Sequence, residues 1–158
     1  MKTGRILATM AFLAGAASAS AQTATQSVTF QVDAINQISL SGSPSLVVNT
    51  ATAGSAPTQA SAAASWAVTT NQTGAKITAS INSAMPAGLD LQVNLSAPAG
   101  ASSAGAQSLS TTAVDVVTSI TKLAQSGISV GYTLDATAAA GVVSSTSRTV
   151  TYTITGGV

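Results

Sequence analysis

Apolar and polar residues alternate along much of this chain, with a period of two. The alternation runs longest over residues 26–42, QSVTFQVDAINQISLSG. There Val28, Phe30, Val32, Ala34, Ile38 and Leu40 share one parity, which only Asn36 interrupts, and Ile35 is the one large apolar residue on the other face. A period of two is that of a strand with one covered face. The stretch therefore predicts one extended strand, or two joined by a bulge near Asn36.

The same signal recurs downstream. Residues 45–49 (SLVVN) read as a short strand. Residues 65–70 alternate through Trp66 and Val68, and residues 76–81 through Ile77, Ala79 and Ile81. Residues 89–95 (LDLQVNL) set four aliphatic side chains against Asp90, Gln92 and Asn94. Residues 128–134 carry Ile128, Val130, Tyr132 and Leu134 on one face, and residues 148–155 carry Val150, Tyr152 and Ile154.

Residues 111–125 are ambiguous. Thr112 with Asp115 resembles a capping box, and Val116, Ile120 and Leu123 have helical spacing. The run of Val, Ile and Thr there favours a strand, and a strand is the expectation.

Between these segments lie turn signals. Residues 71–74 (NQTG) predict a turn, and Pro-Ala-Gly occurs at 86–88 and again at 98–100. Proline is expected at the second position of those two turns and glycine at the exit. Residues 50–64, 100–107 and 136–147 are rich in small residues and read as loops. The sum is about eight or nine antiparallel strands, which predicts a single all-β domain, an antiparallel β-sandwich of Ig-like kind with a long N-terminal strand.

The first 21 residues stand apart from that pattern. Lys2 and Arg5 precede an apolar run, and Ala19-Ser20-Ala21 has the small-x-small form of a cleavage site. Residues 1–21 read as a secretory signal, with residues 22–158 as the β-sandwich domain. The apolar run is too short to span a bilayer and no longer one comes after it, so no integral membrane span is expected. The expected location is extracellular or at the cell surface.

Charge changes the picture further. Only Lys76, Lys122 and Arg148 carry positive charge beyond residue 21, against Asp33, Asp90, Asp115 and Asp135. No basic footprint for nucleic acid is present, and no polybasic patch for a membrane surface. The chain has no Cys and no His, and its acids are all Asp. The usual general bases, thiolate nucleophiles and zinc ligands are therefore missing, so no enzyme activity, cofactor or metal is expected.

The four Asp residues are read as solvated, and no cleft that pairs two of them is expected. Trp66 is either a sugar-stacking platform or core, and its place in an apolar alternating strand favours core. Two Asn-x-Ser/Thr sequons, at Asn71 and Asn94, are read as chance occurrences in a Ser/Thr-rich chain.

Two features suggest a role. The surface is nearly uncharged, which favours association. Lysine is scarce and no proline lies inside the strands, so the common guards of a sheet edge are mostly missing. A long terminal strand can leave its own domain without tearing a loop, and adding a strand to a neighbour's edge is an established mode of assembly.

The segments SVTFQVDAINQISLSG and SRTVTYTITGG resemble the two terminal strands of bacterial secreted pilin-like subunits, of the spore coat protein U and chaperone–usher fimbrial types. Those families commonly carry a disulfide, absent here, and the latter often has a Tyr next to the C-terminus, whereas Tyr152 lies further in. The resemblance implies a fibre or surface-layer subunit that polymerises with itself by donor-strand exchange, in cell adhesion to a host or abiotic surface. The donor is expected within residues 22–41, with Val28, Phe30, Val32, Ala34, Ile38 and Leu40 at the subunit–subunit interface. The alternative is a monomeric secreted binding module, an adhesin or carbohydrate-binding domain, which would expose Trp66.

Overall fold

The computed structural model describes residues 20–158, so the expected signal segment lies almost wholly outside the described residues. The chain divides into two units, Met1–Val32 and Asp33–Val158. In the first, residues 20–32 form no helix or strand, and every one is exposed.

The second unit is all-β. Its elements are β1 (Asn36–Ser41), β2 (Ala60–Ile81), β3 (Leu89–Leu95), β4 (Ser102–Ser103), β5 (Gln107–Ser108), β6 (Val114–Ala136) and β7 (Val150–Thr155), with one 3-10 turn at Ala138–Ala140. They form one seven-stranded sheet in the order β1-β2-β6-β3-β5, with β4 on β6 and β7 on β2. Every pair of strands is antiparallel.

β2 and β6 are far longer than ordinary strands. Each absorbs what the pattern divides into two strands. The expected turn at residues 71–74 is instead an irregular stretch inside β2, where the register against β6 shifts repeatedly between Thr70 and Thr78. β6 adapts at Ser119 (φ 61°) and Lys122 (φ 39°), both left-handed and neither a glycine. The backbone there keeps its partners. Thr73 exchanges both of its main-chain hydrogen bonds with Val158 (3.0 and 3.1 Å), and Asn71 N–H donates to the Ile35 carbonyl. A polar run continues as strand because its donors and acceptors are satisfied on both sides.

The long strands also bend. Tyr132 pairs with Ala62 of β2, and Tyr152 pairs with Ala79. A straight strand would separate those two positions by on the order of 55 Å. Yet the Tyr132 and Tyr152 hydroxyls lie 2.8 Å apart. One buried cluster accordingly takes Trp66, Ile77, Val93, Val116, Ile120 and Val130 from both halves of the long strands and from β3.

Residues 111–125 are strand from Val114 onward, as their β-branched side chains favour. Residues 45–49 are not; Leu46 still packs against the core, but no ladder forms there. Both Pro-Ala-Gly turns close, with Leu89 N–H donating to the Pro86 carbonyl and Ala101 N–H to that of Pro98, each at 3.1 Å. Proline takes the first position of these turns rather than the second. Glycine takes the third, where φ is +81° at Gly88 and +77° at Gly100. A Cβ on Gly88 would also meet the Ala140 nitrogen at 2.9 Å, so glycine is required there twice over.

Candidate subunit interface

The residues expected to mediate assembly fall into two groups. Val28, Phe30 and Val32 are 76%, 89% and 77% exposed, and with Ala34 they lie on a segment outside every strand. Ile38 and Leu40 stand in β1, in register with Val68 and Trp66 of β2. The long opening alternation thus divides at Asn36. Residues 36–41 pair within the domain, whereas residues 26–34 belong to no strand.

Asn36 has a local reason to begin β1. Its side chain donates to Gln72 Oε1 and accepts from Thr70 Oγ1, both at 2.8 Å. Just before it, Ile35 N–H donates to Asn71 Oδ1 at 2.8 Å. Asn71, the first residue of one sequon, is thereby held by the backbone of residues 33 and 35.

β1 and β7 share the edge of β2 that β6 does not occupy. β1 pairs with residues 65–70, and β7 with residues 76–81. β7 therefore runs end to end with β1, and Gly156 meets the Asn36 side chain beside Gln72. A Cβ on Gly157 would collide with the Thr73 carbonyl, so the glycine pair lets the chain lie flat on β2.

The outer edge of β7 has no strand partner among the described residues. Its inward side chains Val150, Tyr152 and Ile154 pack against the core cluster yet remain partly exposed, while Thr151, Thr153 and Thr155 face outward. The alternation of residues 148–155 puts the first three on one face but signals no role for them. Burial pushes the Tyr152 phenol well above its ordinary range, and the hydrogen bond with Tyr132 adds to the rise.

The charged residues are dispersed, with two exceptions. Lys76 and Asp115 form an exposed ion pair at 2.9 Å. Arg148, just before β7, donates through Nε and a terminal nitrogen to the Ala84 carbonyl. Asp90 and Asp135, by contrast, are direct cross-strand partners and half-buried, not separately solvated as the pattern suggests.

Gln92 Nε2 bridges that pair, 2.7 Å from Asp90 and 3.4 Å from Asp135. Ser108 adds a bond to Asp90, and Gln59 one to Asp135. These neutral donors offset the repulsion of two like charges set opposite each other. The residues lie too far apart in sequence for any local signal to join them.

Trp66 is 2% exposed and belongs to the core, so it is no stacking platform. Among the described residues no three potential metal-ligating side chains cluster. No helix among them is long and apolar enough to cross a membrane. No protein-family model, curated protein or solved structure gives a significant match to the chain.

Proposed function

We propose that the protein is a structural subunit of an extracellular filament, assembled by donation of its N-terminal segment to a neighbouring subunit. We also propose that the bent sheet closes on itself as a pilin-like β-sandwich; the contact between Tyr132 and Tyr152 supports that closure.

One observation carries the functional reading. Val28, Phe30 and Val32 have the period of a half-buried strand and stand at 76–89% exposure with no strand partner among the described residues. Apolar side chains so spaced and left in water are the mark of a surface awaiting a partner. The open edge of β7, uncharged and proline-free, is the kind of site to which such a strand adds.

Deletion of residues 22–34 tests the reading. The truncated protein is expected to fold, since β1 and the core do not use those residues, and to form no ordered filaments. Ordered filaments from the deletion variant refute strand donation.

A further inference from the structure

We infer that Tyr132 and Tyr152 form a site of oxidative modification, at which a peroxide couples the two rings into one dityrosine that staples β7 to β6. They are the chain's only two tyrosines. They stand on different strands, Tyr132 in β6 opposite Val93 and Tyr152 in β7 opposite Ala79. β6 and β7 do not pair with each other; each pairs with β2. Yet the two hydroxyls lie 2.8 Å apart and share a hydrogen bond.

That distance also suits the coupled product. In dityrosine the new bond joins the ring carbons next to the hydroxyls, which leaves the two hydroxyls side by side and hydrogen-bonded. Rings that meet through their hydroxyls need only pivot about the shared hydrogen bond to bring those carbons together. Each ring gives up one electron and one proton from its hydroxyl. The two electrons cleave the O–O bond of the peroxide, and with the two protons hydrogen peroxide leaves as two waters. The phenoxyl radicals carry spin on the carbons beside the oxygen, and a bond forms between one such carbon of each ring. The hydrogen on each of those carbons departs as a proton and a proton returns to each oxygen, so both rings are aromatic again. The chain loses two hydrogen atoms in all.

The hydrogen bond lets a buried ring be oxidised through an accessible one. Tyr132 is 6% exposed, whereas Tyr152 is half-buried. An oxidant that reaches only Tyr152 makes its radical first. The Tyr132 hydroxyl then passes its hydrogen atom across the bond, the radical moves inward, and Tyr152 is open to the second oxidation. Burial and the bond to Tyr132 keep the Tyr152 phenol protonated through the ordinary pH range, so the bond persists. The other readily oxidised side chains beyond residue 21 compete poorly, since Trp66 is 2% exposed and Met85 offers no ring to couple. With no cysteine, the chain has no disulfide to tie its strands.

The test is light-activated ruthenium tris-bipyridyl with persulfate, a peroxide, applied to the purified protein and to Y132F and Y152F. Trypsin cuts after Lys122 and Arg148, and so parts the tyrosines into peptides 123–148 and 149–158. The expected product is these two peptides joined, two hydrogens lighter than their sum, from a monomer-sized chain with the blue fluorescence of dityrosine. Its yield should be at least about ten times lower in urea, where the rings are no longer held together. Neither single variant should give that fluorescence in a monomer-sized chain. The stapled protein should need more urea to unfold than its parent, because the link restricts the unfolded chain as a disulfide does.

Peptides joined only between chains, in multimers, overturn the inference. So does oxygen added to Trp66, Met85 or either tyrosine without the joined peptides, and so does a yield that urea leaves unchanged. A stapled protein that unfolds in less urea than its parent overturns the claim that the fold sets the rings for coupling.

Discussion

Replacing Phe30 by alanine separates the stability of the subunit from that of the contact between subunits. Phe30 is 89% exposed in the subunit, so its ring contributes almost nothing to folding. The variant should unfold in urea within about 0.5 kcal/mol of the parent, the usual range for a surface change. If the segment is donated to a neighbour, the same ring is buried there, and burial of a phenylalanine side chain is worth ~1.5–3 kcal/mol. Each contact should weaken by that amount, which is about 10- to 150-fold in equilibrium constant. The assay is the lowest protein concentration that supports filament growth, measured by sedimentation beside the urea curve. It should rise by about that factor while the urea midpoint stays in place. If F30A instead lowers the stability of the isolated subunit by ~3–5 kcal/mol, the ring is a core residue of its own domain and the reasoning fails.

Three further predictions concern the subunit itself. Y152F strands the buried Tyr132 hydroxyl and should cost ~1–3 kcal/mol, while Y132F/Y152F removes both partners and should recover part of the loss; urea denaturation of the four combinations measures the coupling. Because the Tyr152 phenol is held neutral in the fold, the unfolded chain ionises first at alkaline pH, so stability should be steady below about pH 10 and fall above it. The fall should be shallower in Y152F, and an equal fall in both proteins would reject that cause. D90N relieves a like-charge cross-strand pair and should leave stability unchanged or raise it by up to ~1 kcal/mol at neutral pH; a clear loss would mean that the Gln92 and Ser108 bonds to the carboxylate outweigh the repulsion.

The legible parts of this fold are those set by local chemistry. Residues 89–95 could be bounded to the residue, because four aliphatics alternate between two glycine-closed turns. Residues 114–125 resolve as strand because six β-branched side chains outweigh a helical spacing of three. The position of proline in the Pro-Ala-Gly turns was less legible, since it depends on which carbonyl accepts the closing bond.

Residues 71–74 were misleading for a physical reason. Asn-Gln-Thr-Gly has turn composition, and Gly74 does take φ +76°. The strand nevertheless continues, because Ile35, Val158 and β6 supply partners that no local pattern contains. The pairing of Asp90 with Asp135 was invisible for the same reason. The opening alternation is a third case. It reports that one face of residues 26–42 suits burial, and carries no information on which sheet, or which copy of the chain, does the burying. Asn36 marks the division only through side chains that lie far along β2.

The most direct test of strand donation is electron microscopy of the purified protein beginning at Gln22, with a gel of the same sample heated in detergent. Donation predicts long uniform filaments and a ladder of multimers that survives the heating. Dispersed particles of single-subunit mass, with Val28, Phe30 and Val32 protected from solvent in the monomer, would contradict it.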